Sequence, residues 1–155
     1  MTKADYAFVT HWEMPAPIER VWEAIIQTER WPDWWHGLQS VVELKPGDAN
    51  RLGAIQRFAW KGILPYMLVV EMRVTRVERP RTLESEASGE LEGRGRWSLL
   101  PSAVGTHVRY DWMVRTTKPW MNRFAPLARP LFAWNHHVVM RGGERGLRRW
   151  LPGGE

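Results

Sequence analysis

Between residues 38 and 116 the chain is built of short runs whose polarity alternates with a period of two. That period leaves little choice of fold, because it is the spacing of side chains on the two faces of a half-buried strand. In 66–77, Tyr66, Leu68, Val70, Met72 and Val74 share one face, and Glu71, Arg73 and Thr75 the other. In 106–116, Val108, Tyr110, Trp112 and Val114 oppose His107, Arg109, Asp111 and Arg115. Runs at 38–44, 52–60, 82–88 and 93–100 read the same way, and 6–13 is an earlier strand with Tyr6, Phe8, Thr10 and Trp12 on one side. The turns between them are short, so antiparallel hairpins are expected.

Helical signals flank this block. Pro17 suits the first turn of a helix reaching about Thr28, with Ile18, Val21, Trp22, Ile25 and Ile26 on its buried stripe. A short helix or turn follows at 31–36, with Pro32 near its start and Gly37 at its end. After the last strand, Pro119, Pro126 and Pro130 argue against one regular helix across 118–130. A short helix or lid is expected there, then a long helix from near Pro130 to just before Pro152. At about 100° per residue, Arg141, Glu144, Arg145, Arg148 and Arg149 share one face of it. Phe132, Asn135, His136, Val139, Gly143, Gly146, Leu147 and Trp150 share the opposite face. A glycine there costs about 1 kcal/mol against alanine, so something must approach closely, either the sheet or a ligand. Asn135 and His136 need polar partners on a face meant for burial.

Eleven tryptophans in 155 residues exceed what a small core needs, and three fall within Trp31-Pro32-Asp33-Trp34-Trp35. The surplus implies a very aromatic core or a cavity with aromatic walls. The length suits one domain over 1–155. With no cysteine, disulfides, thiolate nucleophiles and cysteine-ligated metals are excluded. His107, His136 and His137 do not form a metal site by spacing, so no metal and no cofactor are expected. No apolar leader and no run of about 18 apolar residues is present, so a cytoplasmic location is expected. The net charge of +5 is concentrated in 118–151, which holds seven basic residues against Glu144 alone. That end suits an anionic membrane surface or an acidic carrier protein, or is simply a solvated helix face. The aromatics interleave with aliphatics on strands and not with exposed Arg or Lys, so nucleic acid is not an expected partner. The oligomeric state is not encoded in any of these features.

Five stretches in this order carry a resemblance: Ala16-Pro17-Ile18-Glu19-Arg20-Val21-Trp22, Trp31-Pro32-Asp33-Trp34-Trp35, Gly93-Arg94-Gly95-Arg96-Trp97, Gly105-Thr106-His107-Val108 and Trp134-Asn135-His136-His137-Val138-Val139-Met140. The chain resembles the START/Bet v 1-like (SRPBCC) superfamily, in its polyketide cyclase/dehydrase-like branch. The resemblance implies an α+β helix-grip fold. A curved antiparallel seven-stranded sheet would wrap around the long C-terminal helix, with two short helices after the first strand. It also implies an apolar cavity between sheet and helix.

In that cavity the expected ligand-binding residues are Trp35, Phe58, Trp60, Tyr66, Met72, Trp97, Tyr110, Trp112, Asn135, His136 and Val139. Their expected ligand is a hydrophobic or amphipathic small molecule, such as a lipid, polyketide or quinone-like compound. The alternative is a cofactor-free polyketide cyclase/dehydrase, with His136, Tyr110 and Tyr66 as candidates for moving protons or polarising a carbonyl. Gln56 sits among apolar neighbours and is a further polar candidate, while Trp34, Trp35 and His36 either gate the cavity or staple the short helix to the sheet.

Overall fold

The computed structural model describes residues 5–62, 67–117, 119 and 123–153. Strand β1 (Asp5–Met14) leads into helix α1 (Ile18–Ile26), a 3-10 turn at Thr28–Arg30 and the short helix α2 (Trp31–Trp34). Six strands follow: β2 (Leu38–Lys45), β3 (Ile55–Trp60), β4 (Leu68–Glu78), β5 (Thr82–Gly89), β6 (Leu91–Ser102) and β7 (Gly105–Thr116). The chain ends in the long helix α3 (Ala125–Gly153). Among the described residues the seven strands form one antiparallel sheet in the order β1-β7-β6-β5-β4-β3-β2. This is the helix-grip arrangement. Strands β2 to β7 are joined in sequence as neighbours, and α1 with α2 carries the chain from one sheet edge to the other.

The alternating pattern sorts the two faces of the sheet. The outer face carries exposed cross-strand ion pairs: Arg57–Glu71 at 3.1 Å, Arg76–Glu84 at 3.1 Å, and Arg73 with Glu86. Such pairs contribute at most about 1 kcal/mol each, so burial of the inner face holds the fold. Two apolar clusters lie on that inner side. One gathers Trp12, Trp22, Trp31, Trp35, Trp97 and Leu147, and the other Tyr6, Leu68, Val70, Leu91 and Phe132.

Helix α3 begins five residues before Pro130 and runs through Pro126, Pro130 and, in its last turn, Pro152, where breaks were expected. Pro126 is in the first turn, whose N–H groups have no intrahelical acceptor in any case. Pro130 is the sixth helical residue and gives up one bond, to the carbonyl of Pro126. Pro126 is exposed, so water can take that carbonyl. The buried face of α3 falls where its periodicity puts it, with Phe132, Asn135, Gly143 and Leu147 buried and Arg141, Arg145, Arg148 and Arg149 exposed. The close approach at Gly143 is packing: a Cβ there would lie 2.5 Å from the Trp35 ring and 2.9 Å from that of Trp12.

Candidate functional site

Beneath α3 the inward residues of the middle strands stop short of filling the space. They leave a slot whose wall draws on both apolar clusters. The empty space, open mouth included, is about 1040 Å3, of which about 100 Å3 admits the centre of a water molecule. A round chamber of that size would admit far more, so the cavity is narrow.

Phe58, Trp60, Met72, Trp97, Tyr110 and Trp112 line it from the sheet, and Asn135, His136 and Val139 from α3. The period of two on the strands and of 3.6 on the helix brings these nine together. Tyr66 lies outside the described residues. Trp35 is not on the wall. It is 1% exposed and packs on Trp12, Trp31, Trp34, Trp60 and Trp97. Its indole Nε1 donates to the Val139 carbonyl at 2.8 Å, so it pins α3 from behind the wall. Trp34 is buried too, and His36 is exposed. The Trp31–Trp35 segment therefore staples α2 to the core.

The wall is a set of aromatic panels. Trp97 and Tyr110 have ring centroids 4.2 Å apart, Tyr110 and Trp112 stack at 5.9 Å, and Phe58 and Trp60 stack at 6.3 Å. Gly95 makes room for them: a Cβ there would lie 2.4 Å from the Tyr110 hydroxyl oxygen.

Two buried groups set the electrostatics at this wall. Desolvation pushes the Tyr110 hydroxyl up, so it stays protonated and acts as a neutral donor. His136 stacks on Phe8, with centroids 4.2 Å apart and planes 15° off parallel. Burial, and next the charge of His137, push its imidazole down to about 4. The titration near neutrality expected of an ordinary imidazole is thus displaced, and His136 is uncharged at neutral pH. Its Nε2 is buried without a hydrogen-bond partner among the described residues. Asn135, 6% exposed, is its neighbour on the wall.

Part of the lining is polar: Gln56, Thr28 and Arg51 meet there beside Ile26. Nothing in the sequence marks Thr28 or Arg51, because their meeting depends on the β2–β3 loop folding over the 3-10 turn that precedes α2. A second hollow, with about 760 Å3 of empty space counted as for the slot, opens at the surface between α2 and α3, beside Asp33, His36 and Arg149. No helix among the described residues is long and apolar enough to cross a membrane. Among them no cluster of three or more His, Asp or Glu is placed to hold a metal ion.

Residues 14–135 match the family described as polyketide cyclase / dehydrase and lipid transport. The chain belongs to that family. Solved structures agree in fold. TTHA0849 from Thermus thermophilus superposes with a TM-score of 0.70 at 18% identity, over 91% of this chain and 94% of that one. A START superfamily protein from Mycobacterium smegmatis gives 0.67 at 14% identity, over 92% and 98%. The di-domain ARO/CYC BexL from the BE-7585A biosynthetic pathway gives 0.68 at 13% identity, over 92% of this chain and 50% of its own. At these identities the likeness is one of fold, and reaction has to be argued from the site. No curated protein is significantly similar to the chain in sequence. The family and its fold go with binding of hydrophobic small molecules in general.

Proposed function

We propose that this family member binds a flat hydrophobic or amphipathic molecule, such as a lipid, polyketide or quinone-like compound, in the slot between sheet and α3. One observation carries the reading: a narrow aromatic-walled cavity is lined by two residues, His136 and Gln56, that each hold a buried Nε2 without a partner among the described residues. A mostly apolar body with a few polar groups matches that wall. Burial at about 25 cal/mol per Å2 makes micromolar affinity accessible to a ligand of ordinary size.

The same reading gives α3 a docking role at an anionic membrane. Its N-terminal half exposes Leu127, Leu131 and Trp134, and its C-terminal half exposes Arg141, Arg145 and Arg149. Leu127 and Arg145 are five full turns apart, as are Leu131 and Arg149, so both halves share one side. An apolar stripe followed by a basic one suits an interfacial helix better than an acidic carrier protein.

Cyclisation in the same slot is a second reading, favoured by the Tyr110 hydroxyl and the buried His136 Nε2, on two lining residues, which could hold a keto oxygen. With His136 neutral, these groups would orient and polarise the substrate. Native against denaturing mass spectrometry of the purified protein tests the main proposal. A small molecule lost on denaturation is expected. A clean mass, with no tryptophan quenching by added aromatic ligands, would remove it.

A further inference from the structure

Gln56 is a polar side chain on an apolar strand face, and it is 3% exposed. Its Oε1 accepts a hydrogen bond from the Thr28 hydroxyl. Gln56 lines the slot, and its Nε2 is buried with no partner among the described residues. Thr28 Oγ1 accepts in turn from Arg51 Nη2 at 3.4 Å. An arginine can only donate, so the Thr28 hydrogen is left to go on to Gln56. That turns the amide oxygen toward Thr28 and leaves the N–H without a partner among the described residues.

Arg51 is held in place with some strain. Its φ is +74°, a left-handed conformation unusual for a side-chain-bearing residue. The loop imposes it, with Asp48 Oδ1 accepting from Asn50 N at 2.8 Å and Leu52 N at 3.0 Å, and Arg51 N donating to the Asp48 carbonyl at 2.9 Å. The guanidinium is also clamped by Glu29 at 2.7 Å and faces Glu43 at 4.0 Å.

We infer that Gln56 Nε2, at the end of the chain Arg51–Thr28–Gln56, is the donor that fixes an uncharged keto oxygen of the bound molecule. This deepens the cavity reading and rests on it. The chemical class follows from the neighbours. One guanidinium stands against two carboxylates, so a ligand carboxylate would meet net negative charge. A ligand hydroxyl would bring a hydrogen that needs an acceptor, whereas the unpartnered atom on Gln56 is a donor. A carbonyl accepts and donates nothing, and the oriented chain polarises the amide toward it.

The probes are 1-tetralone and tetralin, which differ only in a carbonyl, titrated against the full chain by tryptophan quenching and calorimetry. The expected result is 1-tetralone binding roughly tenfold tighter than tetralin. Gln56→Met, similar in volume, should erase that preference. Thr28→Val should reduce it, by freeing the amide to turn. Equal binding of the two probes to the unmodified protein overturns the assignment and leaves the cavity reading standing. So does a preference that survives in a folded Gln56→Met protein. Binding of neither probe overturns both. The comparison in the unmodified protein needs no variant to fold.

Discussion

Gly146 of α3 lies directly against the backbone carbonyl of Trp34, so close that a Cβ on Gly146 would sit 1.7 Å from that oxygen. No rotamer change relieves such a contact, because the obstacle is backbone. The tryptophan cluster and the helix are therefore locked at one distance. Gly142, one turn back, meets nothing within 4 Å of its own added Cβ.

The two positions should respond to alanine with opposite signs. Gly146→Ala should lower unfolding free energy by roughly 2–3 kcal/mol, as overpacking does. Gly142→Ala should raise it by up to about 1 kcal/mol through helix propensity alone. Urea denaturation followed by tryptophan fluorescence measures both. Equal effects at the two sites would mean that α3 does not seat on Trp34.

Acid should destabilise the fold before carboxylates titrate. His136 is held near 4 in the folded protein, and an unfolded histidine titrates near 6.5. Between those values the unfolded chain binds a proton that the folded one does not. Stability is therefore complete above about pH 6.5 and falls as pH drops toward 4, by on the order of 3 kcal/mol at most. His136→Phe should flatten that slope. What remains at lower pH belongs to groups such as Glu13, held below its ordinary value mainly by its hydrogen bond to His107. That contribution is present above the unfolded carboxylate value and lost as pH falls through the depressed one. Thermal melts across this range read the slope directly.

Trp35 and Trp112 should separate stability from binding. Trp35→Phe removes the indole bond to Val139 and should cost about 1 kcal/mol of stability, with little change in affinity for Nile red. Trp112→Ala opens the wall itself and should weaken the dye about tenfold or more. Parallel melting and dye titration distinguish the two.

Membrane docking should depend on both halves of α3. Phosphatidylserine-containing vesicles should sediment the protein, and pure phosphatidylcholine vesicles should not. Raised salt or Arg145→Glu with Arg149→Glu should release it, and Trp134→Ala should weaken it at low salt. Salt-insensitive sedimentation would remove the electrostatic half of that proposal.

Much of this architecture is legible in the sequence. Alternation placed each strand to within about three residues, because an inner apolar and an outer charged face leave a period-two trace. The wall residues Phe58, Trp60, Met72, Trp97, Tyr110 and Trp112 follow from the same trace. Helix α3 started earlier than expected because a proline near a helix end loses a bond that water replaces, a context that a residue-type rule does not carry. Trp35 points away from the slot for a reason equally non-local: α2 presents it to Trp12 and Val139, residues far off in the chain. Of the polar group Arg51, Thr28 and Gln56, only Gln56 left a trace, as a polar side chain among apolar neighbours; Thr28 and Arg51 left none, because the three lie on segments that share no spacing.

The placement of β1 beside β7 has a temporal side. Asp5–Met14 is the first strand made, yet its hydrogen-bonding partner ends at Thr116. During synthesis β2 to β6 can pair hairpin by hairpin while β1 waits, its edge open. Helix α3, which roofs the slot, is made later still. The pocket is thus among the last features to form, and a chain stalled before residue 125 would show its aromatic inner face to any neighbour.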